Sequence, residues 1–460
     1  MSVRSDGTAD ALAGLRDGAA EVVRRLREAG FSSYWVGGCV RDIEMGRPPH
    51  DYDIVTGARP EQVAAMFPAA LTVGAQFGVV IVPLDAYRYE VATFRSEGPY
   101  LDGRRPSHVE FVDAESDVRR RDFTINGLLH DPLDGRTIDL VGGRDDIAAG
   151  RVRTIGDSAQ RFSEDHLRML RAVRLAAELG FEIEADTFRA IRAHAAAITG
   201  VSAERIRDEL MRLLVSAGRG EGVRRLQESG LLAAVLPEVE AMVGVEQPVE
   251  FHPEGDVFVH TVLALERLRG PHPLLALATL LHDVGKPLTQ TRTDRIRFNE
   301  HDEVGAVRAE EICRRLRLSA AETDRVTSLV REHLRVKDLP KMRPAKAARF
   351  LLRPDAPDHL ELHRADCLAS HGHLDVYEWA VAARDALRAA HPRSAPLLTG
   401  DDLIALGYVP GPLFKEMLET VGDAQLEGTI RSPEEARAFV RARFPLRQGV
   451  IVPPGNLTAG

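Results

Sequence analysis

The stretch VGGCVRDIEMGRPPHDYDIVTG at residues 36–57 decides the fold of the N-terminal third. A short apolar run at 34–36 predicts a β-strand, and the adjacent Gly37 and Gly38 predict a tight turn from that strand into a helix over about residues 40–45. The free backbone amides and the dipole at the start of such a helix suit a phosphate group. The order of strand, glycine turn and short helix therefore indicates an anion-binding turn.

Two acidic residues lie near the end of this stretch. Asp51 and Asp53 are two apart in the alternating segment 51–55, which predicts a strand. Because alternate side chains of a strand share a face, both carboxylates would emerge together and could share divalent metal ions. An Asp-x-Asp pair alone is common at solvated strand edges. Beside the glycine turn, and with Arg41 able to clamp a phosphate oxygen, the pair predicts two-metal phosphoryl chemistry with Mg²⁺.

This arrangement resembles the signature of the polymerase-β nucleotidyltransferase superfamily. More narrowly, it resembles the class II family of tRNA nucleotidyltransferases and poly(A) polymerases. The segment RRRDFTINGLLHDP at 119–132 is similar to that family's motif for ribose recognition. The nucleotide-binding residues that the resemblance implies in these two segments are Gly38, Arg41, Arg121, Asp122 and Asn126.

A further segment, RFSEDHLRMLRAVRLAAELGF at 161–181, matches the family's Glu-Asp-x-x-Arg element. Asp165 and Arg168, three residues apart, would project from one helical face and offer an acceptor and forked donors to the edge of cytosine or adenine. The resemblance implies that this pair selects the base without a nucleic-acid template and that Glu164 supports it. An ordinary salt bridge within the helix is the alternative interpretation.

Other parts of the N-terminal half extend the resemblance. Arg171 and Arg174 continue the same helical face and are predicted to reach the triphosphate. Residues 93–111 resemble the flexible loop that the family uses when it switches from adding C to adding A, which disfavours an enzyme that adds only C. The segment ERIRDEL at 204–210 resembles the helix-dipole motif that supports the base-selecting helix, although an ordinary charged helix face has the same pattern.

A second group of potential ligands lies in the helical part of the chain. The apolar run 274–281 leads into LLHDVGKP, where an adjacent His-Asp precedes a glycine turn, and this resembles the HD phosphohydrolase superfamily. Neutral imidazoles and carboxylates are ligands that divalent transition metals bind. The ligand set implied by the two-metal version of that superfamily is His260, His282, Asp283, His301, His333 and Asp366. Such a site would hydrolyse phosphate esters such as 2′,3′-cyclic phosphates, whereas a helical scaffold that keeps its ligands without turnover is the competing interpretation.

Composition limits the classes of protein to consider. The apolar fraction of 44% and the charged fraction of 28% are typical of a soluble globular protein, and no run of about twenty apolar residues is present. Three scattered cysteines and the lack of a signal-like N-terminus favour a reducing cytoplasm. The net charge of −9 argues against a protein that coats nucleic acid indiscriminately, while arginine runs at 119–121 and 168–174 allow a locally positive cleft.

The C-terminal part offers two candidate RNA contacts. Residues 399–414 resemble the element in the family's tail that grips the tRNA elbow, although Leu403, Leu406 and Leu413 are predicted to pack in the tail's own core. A basic strip could face an RNA backbone, but a solvated helix is the commoner explanation for such residues. The members of this strip are Lys337, Lys341, Arg343, Lys346, Arg349 and Arg353.

The sequence therefore predicts a multidomain α+β protein. A polymerase-β-like nucleotidyltransferase head of mixed α/β structure would precede an all-α neck, a body with an HD domain, and a tail. The predicted bounds are 1–150 for the head, 151–215 for the neck with the base-selecting motif, 216–255 for the body segment, 256–375 for the HD domain and 376–460 for the tail.

The resemblance also implies an activity and its partners. CMP and AMP would pass from CTP and ATP to the 3′ end of a tRNA, with Asp51 and Asp53 as catalytic ligands of Mg²⁺ and a divalent transition metal at the HD ligands. No membrane association and no obligatory protein partner are expected. Three alternatives stay open: addition of the final A only, poly(A) synthesis, and an HD phosphohydrolase whose head is a nucleotide sensor or an RNA-binding module.

Overall fold

The computed structural model describes residues 6–72, 74, 78–97, 109–248, 250, 252–390 and 396–446. The chain divides into two compact units, residues 1–330 and 331–460. This boundary falls inside the predicted HD domain, so the five predicted domain bounds stay predictions. In the described ranges, no helix is both long and apolar enough to cross a bilayer.

A six-stranded mixed sheet forms the N-terminal part of the first unit, in the order β3-β4-β2-β1-β7-β8. Its strands and the additional pair β5–β6 are β1 Ser33–Val36, β2 Asp53–Thr56, β3 Val79–Leu84, β4 Tyr87–Thr93, β5 Arg95–Glu97, β6 Val109–Phe111, β7 Leu128–Asp131 and β8 Arg136–Asp139. The helices of this part are α1 Asp6–Glu28, α2 Gly38–Glu44, α3 Pro60–Met66, α4 Ala114–Arg119 and α5 Gly143–Ala148, with a 3-10 turn at Thr124–Asn126. β1 pairs antiparallel with β2 and β7, while β2 pairs parallel with β4.

The sheet is held by apolar side chains that alternate along the strands and by α1, which covers one face. Val22, Val23 and Leu26 of α1 are fully buried in one cluster with Ile54 of β2 and Val91 of β4. Each such side chain contributes roughly 1.5–3 kcal/mol when it is removed from water. This packing fixes β2 and β4 side by side, which sets the positions of the polar residues at their ends.

The remainder of the first unit is helical, as the sequence predicts. Its helices are α6 Ser158–Glu164, α7 Leu167–Leu179, α8 Ala185–His194, α9 Ala203–Val215, α10 Arg219–Glu228, α11 Leu231–Val235, α12 Pro237–Glu240, α13 Val257–Arg267, α14 Pro273–Leu281, α15 Lys286–Thr289, α16 His301–Arg315 and α17 Ala320–Glu332, with a 3-10 segment at Ala195–Gly200. Two short strand pairs interrupt it: β9 Arg151–Val152 with β10 Glu182–Ile183, and β11 Gln290–Arg292 with β12 Ile296–Phe298.

The second unit is made of helices around two hydrophobic clusters. The helices are α18 Pro344–Leu352, α19 Ala356–Ala369, α20 Asp375–Ala390, α21 Gly400–Ala405, α22 Pro412–Leu426 and α23 Pro433–Arg443, preceded by a 3-10 segment at His333–Lys341. Leu403 is fully buried in the cluster of α21 to α23, and Leu406 packs against it. Leu413 is 50% exposed, so the prediction that it packs in this core is wrong. It lies in the first turn of α22, where its side chain projects into solvent.

Gly285 allows two backbone segments of the first unit to approach closely. A Cβ atom at this position would overlap the carbonyl oxygen of His301 and lie 2.7 Å from the amide nitrogen of Gly305. Both obstacles are backbone atoms of α16, so they cannot rotate away. The start of α16, which carries His301, is therefore held against the turn that precedes α15.

We predict that Gly285→Ala destabilises the first unit by about 3 kcal/mol, the upper range for overpacking a tightly packed site. Gly200→Ala is the matched control, because a Cβ there would meet nothing within 4 Å. Thermal melting of the full chain measures both. Equal melting temperatures for the two variants would contradict the close approach.

Candidate active site

Asp53 lies where the central strands of the sheet meet the glycine turn. It is the first residue of β2, and its Cα pairs with that of Val36, directly before Gly37. Gly37 has φ 79°, a left-handed conformation that favours glycine, and a Cβ there would lie 3.6 Å from Asp53 Oδ2. Asp53 is exposed at the start of β2, yet desolvation by the surrounding protein atoms, followed by the charges of Asp51 and Glu90, raises its pKa to about 6.

Asp51 does not lie in the strand, which corrects the prediction for segment 51–55. β2 begins at Asp53, and Asp51 is an exposed residue of the irregular segment before it. On the β1 side, the chain turns away at Gly37 directly after Val36, the partner of Asp53, so Asp51 has no partner in β1. The charge of Asp51 nevertheless acts on Asp53, because it contributes to the raised pKa of Asp53.

Glu90 is a third carboxylate that the sequence analysis missed. β2 and β4 run parallel with Ile54 opposite Val91, which places Glu90 beside Asp53. Glu90 is exposed between the buried Tyr89 and Val91, so the alternation of apolar and charged residues at 89–91 was the available signal. Asp51, Asp53 and Glu90 together are called the carboxylate cluster. Their oxygen atoms are ligands of the kind that hard divalent cations prefer.

The glycine turn, α2 and the 119–132 segment meet beside this cluster. Arg41 donates from Nη1 to Oδ1 of Asn126 at 2.9 Å and from Nη2 to Oδ1 of Asp42 at 2.9 Å. A Cβ on Gly38 would lie 3.6 Å from Arg41 Nη2. The predicted nucleotide-binding residues Gly38, Arg41 and Asn126 are thus brought together.

Arg121 is anchored by a buried carboxylate. Its Nη2 donates to Oδ2 of Asp117 at 2.9 Å, and Arg120 donates to the other oxygen of Asp117 at 2.7 Å. Burial alone would raise the pKa of Asp117, but Arg121 and Arg120 lower it overall. The charge of Arg121 also opposes the rise in the pKa of Asp53, so this arginine acts on the carboxylate cluster. Asp117 was not predicted as a site residue, although its spacing of three and four residues from the two arginines was a usable signal.

An ion pair joins the 119–132 segment to α7. Arg171 donates to Oδ2 of Asp122 from Nε at 2.9 Å and from Nη2 at 2.6 Å. Burial would raise the pKa of Asp122, yet Arg171 holds it below its usual value, and Asp122 in turn raises the pKa of Arg171. Two segments predicted to bind nucleotide are therefore in direct contact.

Asp165 and Arg168 do not share a helical face, contrary to the prediction. α6 ends at Glu164, and Asp165 has the extended conformation φ −144°, ψ 104° before α7 starts at Leu167. The carboxylate of Asp165 accepts the Leu167 amide at 3.1 Å, and His166 lies between Asp165 and the start of α7. The helix is therefore interrupted between the two predicted partners.

Each member of that pair has a different partner. Arg205 of α9 donates to Asp165 from Nη1 at 3.2 Å and from Nη2 at 2.7 Å. Arg168 is buried and donates from Nη1 to Oε2 of Glu164 at 2.6 Å and to the carbonyl oxygen of Arg161 at 3.0 Å. The contact of Glu164 with Arg168 is the one that a supporting role requires. The base-selecting role of Asp165 and Arg168 stays a prediction.

Arg174 does not continue an exposed face with Arg171. It is 6% exposed and donates to Glu209 of α9 and to Glu178, each at 2.5 Å. These pairs tie α7 to α9 and turn the guanidinium inward. The prediction that Arg174 reaches a triphosphate is not supported by this orientation.

The four predicted HD ligands of the first unit converge, and we call them the HD-type site: His260 of α13, His282 and Asp283 after α14, and His301 at the start of α16. The Nε2 atoms lie 3.3 Å (His282), 3.5 Å (His301) and 3.8 Å (His260) from the Asp283 carboxylate. Ligand atoms of His260, His282 and Asp283 are close enough to hold a metal ion. His333 and Asp366 belong to the second unit, and their part in the site stays a prediction.

Hydrogen bonds fix the orientation of two of these imidazoles. Nδ1–H of His282 donates to the carbonyl oxygen of Thr279 at 2.7 Å, and Nδ1–H of His301 donates to that of Phe298 at 2.8 Å. Because a neutral imidazole carries one proton, each Nε2 is left as the ligand atom. Burial alone would raise the pKa of Asp283, but the facing His282 and Lys286 hold it well below its usual range.

Four further residues around the HD-type site were missed. Lys286 Nζ lies 2.6 Å from Asp283 Oδ2 and donates to Oε1 of the buried Gln247 at 2.6 Å. His252 and Glu254, which precede α13, form with His260 another set of potential metal ligands. The short spacing His252, Glu254, His260 before a buried helix was the available signal.

The predicted switching loop and the predicted basic strip have different outcomes. Residues 98–108 of the predicted flexible loop lie outside the described residues, and the flanking parts form β5 and β6. In the basic strip, Arg349 pairs with Asp423 at 2.6 Å and Arg353 with Glu332 at 2.6 Å. The exposed members are Lys337, Lys341, Arg343 and Lys346. Contact of this strip with RNA stays a prediction.

Three family models match the chain. The poly A polymerase head domain matches residues 33–153, the probable RNA and SrmB-binding site of polymerase A matches 180–243, and the HD domain matches 258–369.

Curated relatives support the same assignment. The chain is 44% identical over 211 residues to a CCA-adding enzyme of Geobacillus thermodenitrificans, which covers 46% of this chain and 52% of that protein. It is 41% identical over 239 residues to a CCA-adding enzyme of Lactococcus lactis, covering 50% and 59%. The chain thus spans about half the length of the curated relatives that it matches.

Solved structures extend the likeness along the chain. The Bacillus stearothermophilus CCA-adding enzyme in complex with CTP matches with a TM-score of 0.70 and 28% identity, covering 92% of this chain and 96% of that one. The Thermotoga maritima CCA-adding enzyme complexed with tRNA shares the fold at 20% identity, with a TM-score of 0.59 and coverage of 93% and 95%. The chain thus contains, in this order, segments that match a poly A polymerase head, an RNA-binding site of polymerase A and an HD domain, and its fold is similar to that of CCA-adding enzymes.

Proposed function

We propose that this protein adds CMP, CMP and AMP from CTP and ATP to the 3′ end of tRNA and releases pyrophosphate. The observation that carries the proposal is the carboxylate cluster beside the glycine turn, with Asp53 next to Glu90 and within electrostatic reach of Asp51. The relatives named as CCA-adding enzymes, and the CTP complex of one with the same fold, support the choice of reaction.

The carboxylate cluster suits Mg²⁺, because it offers only oxygen ligands and a local excess of negative charge. Asp51 and Asp53 would hold the metal. When bound, Mg²⁺ supplies activation of the attacking 3′ hydroxyl and neutralisation of triphosphate charge. The protein itself has to position the two substrates. A bound cation would stabilise the ionised form of Asp53, which desolvation and the charges of Asp51 and Glu90 disfavour.

Different residues around the cluster would bind the phosphates and the ribose of the nucleotide. Gly38, Arg41 and Arg121 would bind phosphate oxygens, because backbone amides and guanidinium groups both donate to them. Asp122 and Asn126 would contact the ribose. Asp122 is already held by Arg171, so the ribose contact is oriented before the nucleotide arrives.

Base selection would fall to Asp165 and Arg168, as the family motif implies. Arg205 holds Asp165 by two hydrogen bonds, and Glu164 holds Arg168, so each side chain is preset by a different partner. An acceptor and forked donors fixed in this way can pair with the edge of cytosine or adenine. Addition of the final A only, and poly(A) synthesis, use the same groups and remain the competing functions.

We predict that the wild-type protein extends three transcripts that end before the tail, after one C and after two Cs, each to a complete CCA end. CTP alone should add C to the first two, and ATP alone should add a single A to the third. Asp53→Ala should lower every incorporation by at least about 100-fold, because it removes a ligand of the Mg²⁺ that would neutralise the charge on the triphosphate. Labelled-nucleotide incorporation on sequencing gels is the measurement.

Asp134→Asn is the matched control, since Asp134 lies in the exposed turn between β7 and β8. It should leave all incorporations unchanged. Incorporation of A only, or of long A tracts, would replace CCA addition by one of the competing functions. Undiminished activity of Asp53→Ala would remove the proposed site altogether.

A second candidate function is phosphohydrolysis at the HD-type site. It is favoured by the convergence of three imidazoles on the buried Asp283. Imidazole and carboxylate ligands suit Ni²⁺ or Mn²⁺, which when bound would promote attack of water on a phosphate ester. Lys286, which contacts Asp283, would add a positive charge near the substrate phosphate.

We predict that the protein hydrolyses a 2′,3′-cyclic phosphate to a phosphomonoester end when Ni²⁺, Mn²⁺ or Mg²⁺ is supplied. Asp283→Ala should abolish this hydrolysis because it removes the carboxylate that the three imidazoles face. Asp294→Ala, in the exposed turn between β11 and β12, is the control and should retain it. Equal hydrolysis by Asp283→Ala and wild type would end the proposal and leave the HD region as a scaffold.

A further inference from the structure

Three imidazoles of the HD-type site present the same nitrogen to Asp283, and backbone carbonyls orient His282 and His301. His282 and His301 donate from Nδ1 to carbonyl oxygens, and their Nε2 atoms face the carboxylate. His260 also turns Nε2 toward Asp283, at 3.8 Å. Its Nδ1 faces a different kind of acceptor, the carboxylate of Glu254, at 2.6 Å.

The separation of Nδ1 and the carboxylate decides what Glu254 can do. Two ligands of one tetrahedral ion, each about 2.0–2.2 Å from it, lie roughly 3.4 Å apart. The 2.6 Å between His260 Nδ1 and Glu254 Oε1 is too short for that arrangement. It is within hydrogen-bonding distance. Glu254 is therefore suited to orient His260 rather than to bind the same metal.

Glu254 is itself held in place. Nδ1–H of His252 donates to Glu254 Oε1 at 3.0 Å, and the ring of His252 meets that of His260 edge-on with centroids 4.8 Å apart. The side chain of Glu254 is 6% exposed, so water competes little for its oxygens. His252, Glu254 and His260 thus form a chain of contacts that ends at the HD-type site.

We propose that Glu254 is a positioning residue of the HD-type site, which accepts the Nδ1 proton of His260 and presents Nε2 as a metal ligand. His252 keeps the Glu254 carboxylate in this orientation. A carboxylate behind a ligating histidine fixes the ring tautomer and makes the imidazole a stronger ligand. The inference rests on metal binding at the HD-type site as proposed above.

Titration calorimetry of the untagged full chain with Ni²⁺ tests this role without reference to catalysis. Wild type should bind Ni²⁺, and His282→Ala should lose that binding. Glu254→Ala should bind about 10- to 100-fold more weakly than wild type. Glu254→Gln keeps a neutral acceptor and should lie between the two.

Glu246→Gln is the matched control, because Glu246 belongs to the same connection before α13 but is exposed and pairs with Arg292. It should bind Ni²⁺ as wild type does, and thermal melting checks that every variant is folded. Wild-type affinity in Glu254→Ala, with binding lost in His282→Ala, would overturn the positioning role alone. Failure of the wild type to bind Ni²⁺ would overturn the proposed metal site and this inference together.

Discussion

The repulsion among Asp53, Asp51 and Glu90 is the constraint on which the proposed active site depends. The sheet packing that places β2 between β1 and β4 sets Asp53 beside Glu90. Desolvation of the Asp53 carboxyl, followed by the charges of Asp51 and Glu90, raises its pKa to about 6. Like charges held together destabilise the folded chain, and a divalent cation relieves that cost. At the proposed cation site the folded chain therefore carries a cost in stability that a bound cation would remove.

Ion pairs between arginines and carboxylates connect this cluster to the helices behind it. Arg171 holds Asp122, and Arg205 holds Asp165, so side chains proposed to contact ribose and base are oriented by partners from other elements. Arg174 shows the opposite case, because its buried pairs with Glu209 and Glu178 serve the packing of α7 on α9. In the HD-type site too, the imidazoles contact partners on the side away from Asp283. These partners are two backbone carbonyls and the carboxylate of Glu254.

Local patterns in the sequence predicted the strand, glycine turn and helix around residues 36–44 and the helical nature of the later chain, because short-range periodicity and turn residues determine these features. These local patterns failed where contacts between segments distant in the sequence determine the structure. β2 begins only at Asp53, where the pairing with β1 starts, and Glu90 becomes a neighbour of Asp53 only through the parallel pairing of β4. A helical pattern also conceals the break at Asp165, whose carboxylate accepts the Leu167 amide.

The carboxylate cluster around Asp53 can be tested by comparing the melting temperatures of wild type and Asp53→Asn in metal-free buffer between about pH 5 and about pH 8. Because the pKa of Asp53 is raised to about 6 in the folded chain, its ionised form costs stability above that pH and the cost shrinks as the group is protonated. Asp53→Asn should therefore melt above wild type at the alkaline end, with a difference that narrows as the pH falls through about 6. A variant that melts below wild type at the alkaline end, or a difference that does not change with pH, would contradict the carboxylate cluster.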